Sequence, residues 1–162
     1  MVVKDFSIPK QRVYFSEIVQ KIEAYMAELE SHQGLSANTQ SFGNDKAAYV
    51  FYEDGQPLYV GRTGNLLKRM RQHRNLGSTH NSAPFAYHLA KAAAIKDGQC
   101  VNQTRQQFCD ESAFKKYFQE AKERVGKMLV RYAVIEDARE QSLFEYYASI
   151  ELHTPWNDHS NS

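Results

Sequence analysis

The sequence predicts an α+β fold, a small and mainly antiparallel three-stranded sheet flanked by helices, on three observations. Two short runs rich in Tyr, Val and Phe between Ala47 and Gly61 flank Asp54-Gly55, the strongest local sign of a β-hairpin in the chain. A third run, MLVRYAVI from Met128 to Ile135, is β-branched enough for a strand buried on at least one face. Apolar residues recur at helical spacing before, between and after these runs.

Taken in order, Ile18, Ile22, Tyr25, Met26 and Leu29 recur at three- and four-residue steps from Ser16 to about Glu30, which predicts an amphipathic helix capped by Ser16. Residues 31–46, rich in Ser, Asn and Gly, read as a linking loop. In the hairpin, a three-residue loop Glu53-Asp54-Gly55 with Gly55 left-handed would set Tyr49 opposite Tyr59, two phenols on one face. Thr63-Gly64-Asn65 offers cap chemistry before LLKRMRQHR, where Leu66 and Met70 form an inward pair and Arg69 and His73 share a neighbouring face. Residues 75–83 are loop-like, and Pro84 opens a helix carrying Phe85, His88, Leu89 and Ala92 that ends near Gly98. Another helix is expected from about Glu111 to Arg124, with Phe114, Tyr117, Phe118 and Ala121 on one face. The last helix runs from about Asp137 to Leu152 with Leu143, Tyr147 and Ile150 as its core stripe, stopped by His153-Thr154-Pro155. This divides the chain into an N-terminal helix with its linking loop, 1–45, and a single domain, 46–158, carrying a helical insertion at about 75–127.

With 162 residues, 42% of them hydrophobic, the chain has material for one core. Twenty basic against 19 acidic residues leave a net charge of +1, so the distribution of charge matters more than its sum. Arg62, Lys68, Arg69, Arg71 and Arg74 fall in one short stretch without an acidic side chain, a cationic patch suited to phosphate oxygens. No stretch approaches the roughly 18 apolar residues of a membrane span, and the N-terminus lacks the apolar core of a secretory signal, so no membrane partner and a cytoplasmic location are expected. Cys100 and Cys109 have neither CxxC spacing nor a nearby histidine pair and read as reduced thiols. His32, His80, His88, His153 and His159 show no ligand spacing, and Trp156 reads as packing.

Tyr49, then Tyr59-Val60-Gly61, then Asn65-Leu66, Arg69 and His73 form the first half of a pattern whose second half is distant. Glu145 sits within LFEYYA of the last helix, and twelve positions later Asn157 closes TPWN. Together these residues resemble the signature of the GIY-YIG nuclease superfamily in its usual order, over Ala47 to about Arg74 and Val130 to Asn157. Ala47-Ala48-Tyr49 departs from Gly-Ile-Tyr and Val60 replaces Ile, at positions that supply no catalytic side chain. The insertion is longer than the one further helix that a minimal module needs.

The resemblance implies a metal-dependent endonuclease hydrolysing DNA phosphodiester bonds, of restriction or of repair and recombination type, with Tyr49, Tyr59, Arg69, His73, Glu145 and Asn157 as its catalytic set. Glu145 would be the sole protein carboxylate on a Mg²⁺ or Mn²⁺ ion that keeps several waters. Tyr49 would be the general base on the water; its reference pKa of about 10 would have to fall under the influence of Arg69 and the metal, so activity should rise with pH. Arg69 would neutralise the scissile phosphate in a bidentate manner, Tyr59 and His73 would hydrogen-bond the phosphate or the water, and Asn157 would orient the site or bind backbone. Arg62, Lys68, Arg71 and Arg74 would contact nucleic acid, DNA in the first place with RNA also open, and a restriction role implies a homodimer. The alternative is a non-catalytic nucleic-acid-binding module that retains the fold.

Overall fold

The structure, a computed structural model, describes residues 8–99 and 112–157; Cys100, Cys109, Glu111 and His159 lie outside the described residues. Its organising element is strand β2 (Ala47–Glu53), whose first five residues are all buried. A strand covered on both faces shows a continuous apolar run instead of alternation, which is how AAYVF reads. It pairs antiparallel with β3 (Gln56–Thr63) on one side and β4 (Leu129–Val134) on the other. The free side of β4 carries a two-residue strand β1 (Leu35–Ser36), giving the order β1-β4-β2-β3. The sheet thus has four strands and not the expected three. The extra one lies in the stretch read as loop, because two residues have no periodicity to display and their partners Val130 and Leu129 are distant in sequence.

The hairpin register also differs from expectation. Glu53 pairs with Gln56, leaving a two-residue turn in which Asp54 and Gly55 have φ of 51° and 78°, the two left-handed positions of a type I′ turn. A bulge after Phe51 leaves Leu58 unpaired, so Tyr49 faces Gly61 while Tyr59 faces Phe51. The two tyrosines share a face of the sheet but sit diagonally.

That face, with Tyr49, Phe51 and Val130, packs against α2 (Leu66–Arg74), α3 (Pro84–Lys96) and α4 (Ser112–Lys127). The insertion therefore builds core: Phe85, Phe114 and Val125 belong to the same cluster as Tyr49. The opposite face, with Ala48, Val50, Val60, Ala133 and Ile135, packs against α1 (Ile8–Ser31) and α5 (Ala138–Glu151). Helix α1 begins at Ile8, so Ser16 is interior to it and not its cap. Asp137 caps α5 by accepting from the Arg139 and Glu140 amides. Phe144 and Ala148 form the buried stripe of α5; Leu143 and Tyr147 are half-buried and Ile150 is 52% exposed. The small Ala148 sits in this stripe, so the larger residues expected there lie at the flank or face out. No helix among the described residues is long and apolar enough to cross a membrane.

Helix α1 is fastened to α5 by one buried carboxylate. Lys21 Nζ (2.6 Å) and the Tyr25 hydroxyl both donate to Glu140, whose side chain is 8% exposed. Those two donors hold the Glu140 carboxyl below the usual range, while burial and the same contact push Tyr25 up to about 12. A depressed carboxylate contributes stability that is complete above the unfolded-state value of about 4.3 and is lost as pH falls through the folded-state value. Glu140→Gln should therefore lower the free energy of unfolding by about 1–3 kcal/mol at neutral pH. In urea titrations the gap should shrink on acidification; a gap independent of pH would refute this assignment.

Candidate functional site

The site grows from Tyr49, fully buried on the central strand. A β-carbon at Gly61, its partner across the hairpin, would lie 2.5 Å from Tyr49 Oη, so glycine is what lets the phenol lie flat across β3. Helix α2 is delivered to this point by its N-terminus. Asn65 Oδ1 accepts from the Lys68 amide (2.8 Å), while the Leu66 and Leu67 amides donate to the Asp45 and Gly43 carbonyls just ahead of β2. Leu66 and Met70 enter the core, and Arg69 and His73, one turn apart, converge on the phenol. Arg69 Nε donates to Tyr49 Oη at 2.9 Å, and His73 Nε2 lies 2.8 Å from the same oxygen. The imidazole tautomer sets which atom donates, and His73 Nδ1, also buried, has no protein partner.

The insertion closes the cluster. Arg69 Nη1 donates to the Ser82 carbonyl (2.9 Å) and to Gln72 Oε1 (3.3 Å), and Tyr59 stacks on Phe85 with ring centroids 4.8 Å apart and planes 8° from parallel. Lys122, 3% exposed, donates to the Leu76 and Ser78 carbonyls and lies over the Phe118 ring, fastening the loop that ends at Ser82.

Burial governs the titration of this cluster. It raises the Tyr49 phenol, with Arg69 only partly offsetting it, so in the free chain the shift is opposite to the expected fall. Tyr59 is raised for the same reason, and burial, then Arg69, drive His73 well below its ordinary value, leaving it neutral at pH 7.

Glu145, on α5, stands close enough for its charge to add to the upward push on both phenols. Its Oε2 accepts from Arg62 Nε at 2.9 Å, and its side chain is 26% exposed. Asn157 is directed at the strand: Nδ2 donates to the Val60 carbonyl (2.8 Å) and Oδ1 accepts from the Val60 amide (2.7 Å) and from Thr154 Oγ1 (2.9 Å). The structure thus brings Tyr49, Tyr59, Arg69 and His73 into one cluster, sets Glu145 beside it, and uses the Asn157 amide to hold β3.

The basic residues spread along α2. Lys68 lines an open hollow of about 320 Å³ with Thr63, Gly64, Asn65, Arg69 and Gln72. At the far end Arg71, which donates to Gln40 (2.9 Å), and Arg74 line another of about 420 Å³. Among the described residues no three His, Cys, Asp or Glu side chains cluster, so they form no all-protein cage of the zinc or calcium kind. A lone carboxylate beside two phenols fits a hard cation that keeps most of its water, as Mg²⁺ does. Ser82 and Lys122 carry no signal in the sequence, and Phe85 is legible there only as an apolar residue of its helix. Gly61 carries one, as the glycine that closes Tyr59-Val60-Gly61.

No protein-family model matches the chain, and no curated protein does. Among solved structures, the chain is similar to the GIY-YIG N-terminal endonuclease domain of UvrC from Thermotoga maritima bound to its catalytic divalent cation, magnesium. The identity is 15% and the TM-score 0.39, over 88% of this chain and 97% of that chain. Two point mutants of that domain, each bound to a divalent cation, match with TM-scores of 0.40 at the same identity and coverage.

Two substitutions test this geometry. Gly61→Ala should destabilise by about 1–3 kcal/mol through overpacking against Tyr49, measured by urea unfolding. Asn157→Ala should speed hydrogen exchange of the Val60 amide, because the acceptor that covers it is removed; unchanged protection would show that the clamp does not hold the strand.

Proposed function

We propose that this chain is a metal-dependent endonuclease that hydrolyses DNA phosphodiester bonds. The observation that carries the reading is the convergence of Arg69 and His73 on the buried Tyr49 hydroxyl, with Tyr59 and the Glu145 charge beside it. One partner would satisfy a structural tyrosine in a core; here a guanidinium and a neutral imidazole both address it. Those residues are the ones whose order and spacing resemble the GIY-YIG signature.

In this reading Tyr49 acts as the phenolate, its own proton passed to His73 Nε2, and takes the proton of the attacking water as the water oxygen bonds to phosphorus; the ester P–O bond breaks and the leaving oxygen takes a proton from solvent. A divalent ion held by Glu145 would supply positive charge at the developing oxyanion. Arg69 steadies the phosphate through Nη2, because Nε and Nη1 are already bonded to protein; the expected two-nitrogen fork would require release of those bonds. His73, neutral and 2.8 Å from the phenol, shares its proton. Asn157 acts as a positioning residue through Val60, and Arg62, Lys68, Arg71 and Arg74 take backbone phosphates to either side. Residues 46–158 act as the catalytic unit, with the insertion as one wall of the site.

A non-catalytic binding module is the competing reading, favoured by the phenol being held up rather than down. Cleavage of supercoiled plasmid in Mg²⁺, with branched DNA and single-stranded RNA alongside, separates the two. Wild type should cut, and Glu145→Ala and Arg69→Ala should each lose about 100-fold or more. Because the phenol is raised, the phenolate fraction and the rate should climb throughout the neutral and mildly alkaline range. Binding without cleavage of any substrate would assign the chain to the non-catalytic class.

A further inference from the structure

Arg62 follows Gly61 on β3 and pairs with Ala48, whose side chain belongs to the opposite face of the sheet from Tyr49. Strand alternation therefore carries the Arg62 side chain around to the side where α5 runs. Helix α5 is held there rigidly: Gln141, one turn before Glu145, donates to the Thr63 (3.1 Å) and Ile135 (2.7 Å) carbonyls. The result is the 2.9 Å contact between Arg62 Nε and Glu145 Oε2, made by an arginine side chain that is 45% exposed.

We propose that Arg62 governs the access of a divalent cation to Glu145: without nucleic acid its guanidinium occupies the carboxylate, and a backbone phosphate draws it away. This rests on the proposed role of Glu145 as the cation's protein ligand. A guanidinium and a hydrated cation compete for the same carboxylate charge, so the ion pair opposes metal binding in the free chain. Its strength suits exchange, because a half-exposed pair is weak, and the exposed part of the guanidinium offers donors to a phosphate. Nucleic acid then raises cation affinity, and by reciprocity the cation raises nucleic-acid affinity by the same factor. Arg62 is on this account a positioning residue that couples the two binding events.

The test is Mn²⁺ binding to the full chain, with free ion counted by electron paramagnetic resonance, in wild type, Arg62→Gln, Glu145→Gln and, as a charge control, Lys68→Gln. Without nucleic acid, Arg62→Gln should bind Mn²⁺ about two- to five-fold more tightly than wild type, the range given by an exposed ion pair. Glu145→Gln should bind much more weakly. No tightening in Arg62→Gln, or an equal tightening in Lys68→Gln, overturns the inference while leaving the proposed function standing. Undiminished binding in Glu145→Gln overturns the metal site itself. In a Tyr49→Phe background, which blocks cleavage, a short DNA duplex should increase Mn²⁺ affinity more with Arg62 than with Gln at that position. Equal increases, including none in either, overturn the coupling.

Discussion

A hydroxyl that water does not reach must find its hydrogen bonds in the protein, and at Tyr49 this requirement ties the sheet to the helix beside it. Strand β2 is covered on both faces, so the phenol is fully buried, and an unmet hydroxyl there would cost about 1–3 kcal/mol. Arg69 and His73 meet the need only if α2 begins where Asn65 and the carbonyls of Gly43 and Asp45 place it. They also require that nothing larger than hydrogen stand at Gly61. The polar cluster and the hydrophobic core are in this sense one assembly, since Tyr49, Phe51, Leu66, Met70 and Phe85 share a single packed cluster.

The same burial sets the chemistry. Without water, Arg69 lowers the cost of a phenolate but does not outweigh desolvation, and His73 stays uncharged. In the free chain the phenol is protonated, the guanidinium is bonded to the Ser82 carbonyl, and the Glu145 carboxylate is in contact with Arg62. On the proposed function, bound phosphate and cation would bring the charges that alter each of these contacts. The arrangement is closed by protein already present, with Ser82 and Phe85 supplied by the insertion.

Much of the local structure was legible because its cause is local. Asp54-Gly55 fixed the hairpin, Asn65 and Asp137 announced helix starts, and the Leu66/Met70 pair identified the inward face of α2. What was not legible depends on distant partners. The pairing of Leu35 with Val130 leaves no periodic trace, the two-residue turn and the bulge at Leu58 together shift the register by two residues from that expected, and α5 presents Ala148 in its buried stripe where Tyr147 was expected. In the site, the order and spacing of Tyr49, Tyr59, Arg69 and His73 pointed to residues that do meet in space. Ser82 contributes only a backbone carbonyl, and Lys122 acts through two more, so neither identity nor spacing could mark them. In the free chain burial outweighs Arg69 at Tyr49, and the double-sided cover of β2 that causes this is legible in the continuous apolar run AAYVF.

The segment that ends the described chain has a consequence beyond the site. Strand β3 is the outermost strand of the sheet, and its outward groups would ordinarily invite another extended chain to dock. Those of Val60 are taken by the Asn157 amide and the Leu58 carbonyl by the Trp156 amide. At the other margin β1 offers only two residues. A protein whose middle strand is as apolar as AAYVF is thereby guarded in part against cross-β stacking at both borders.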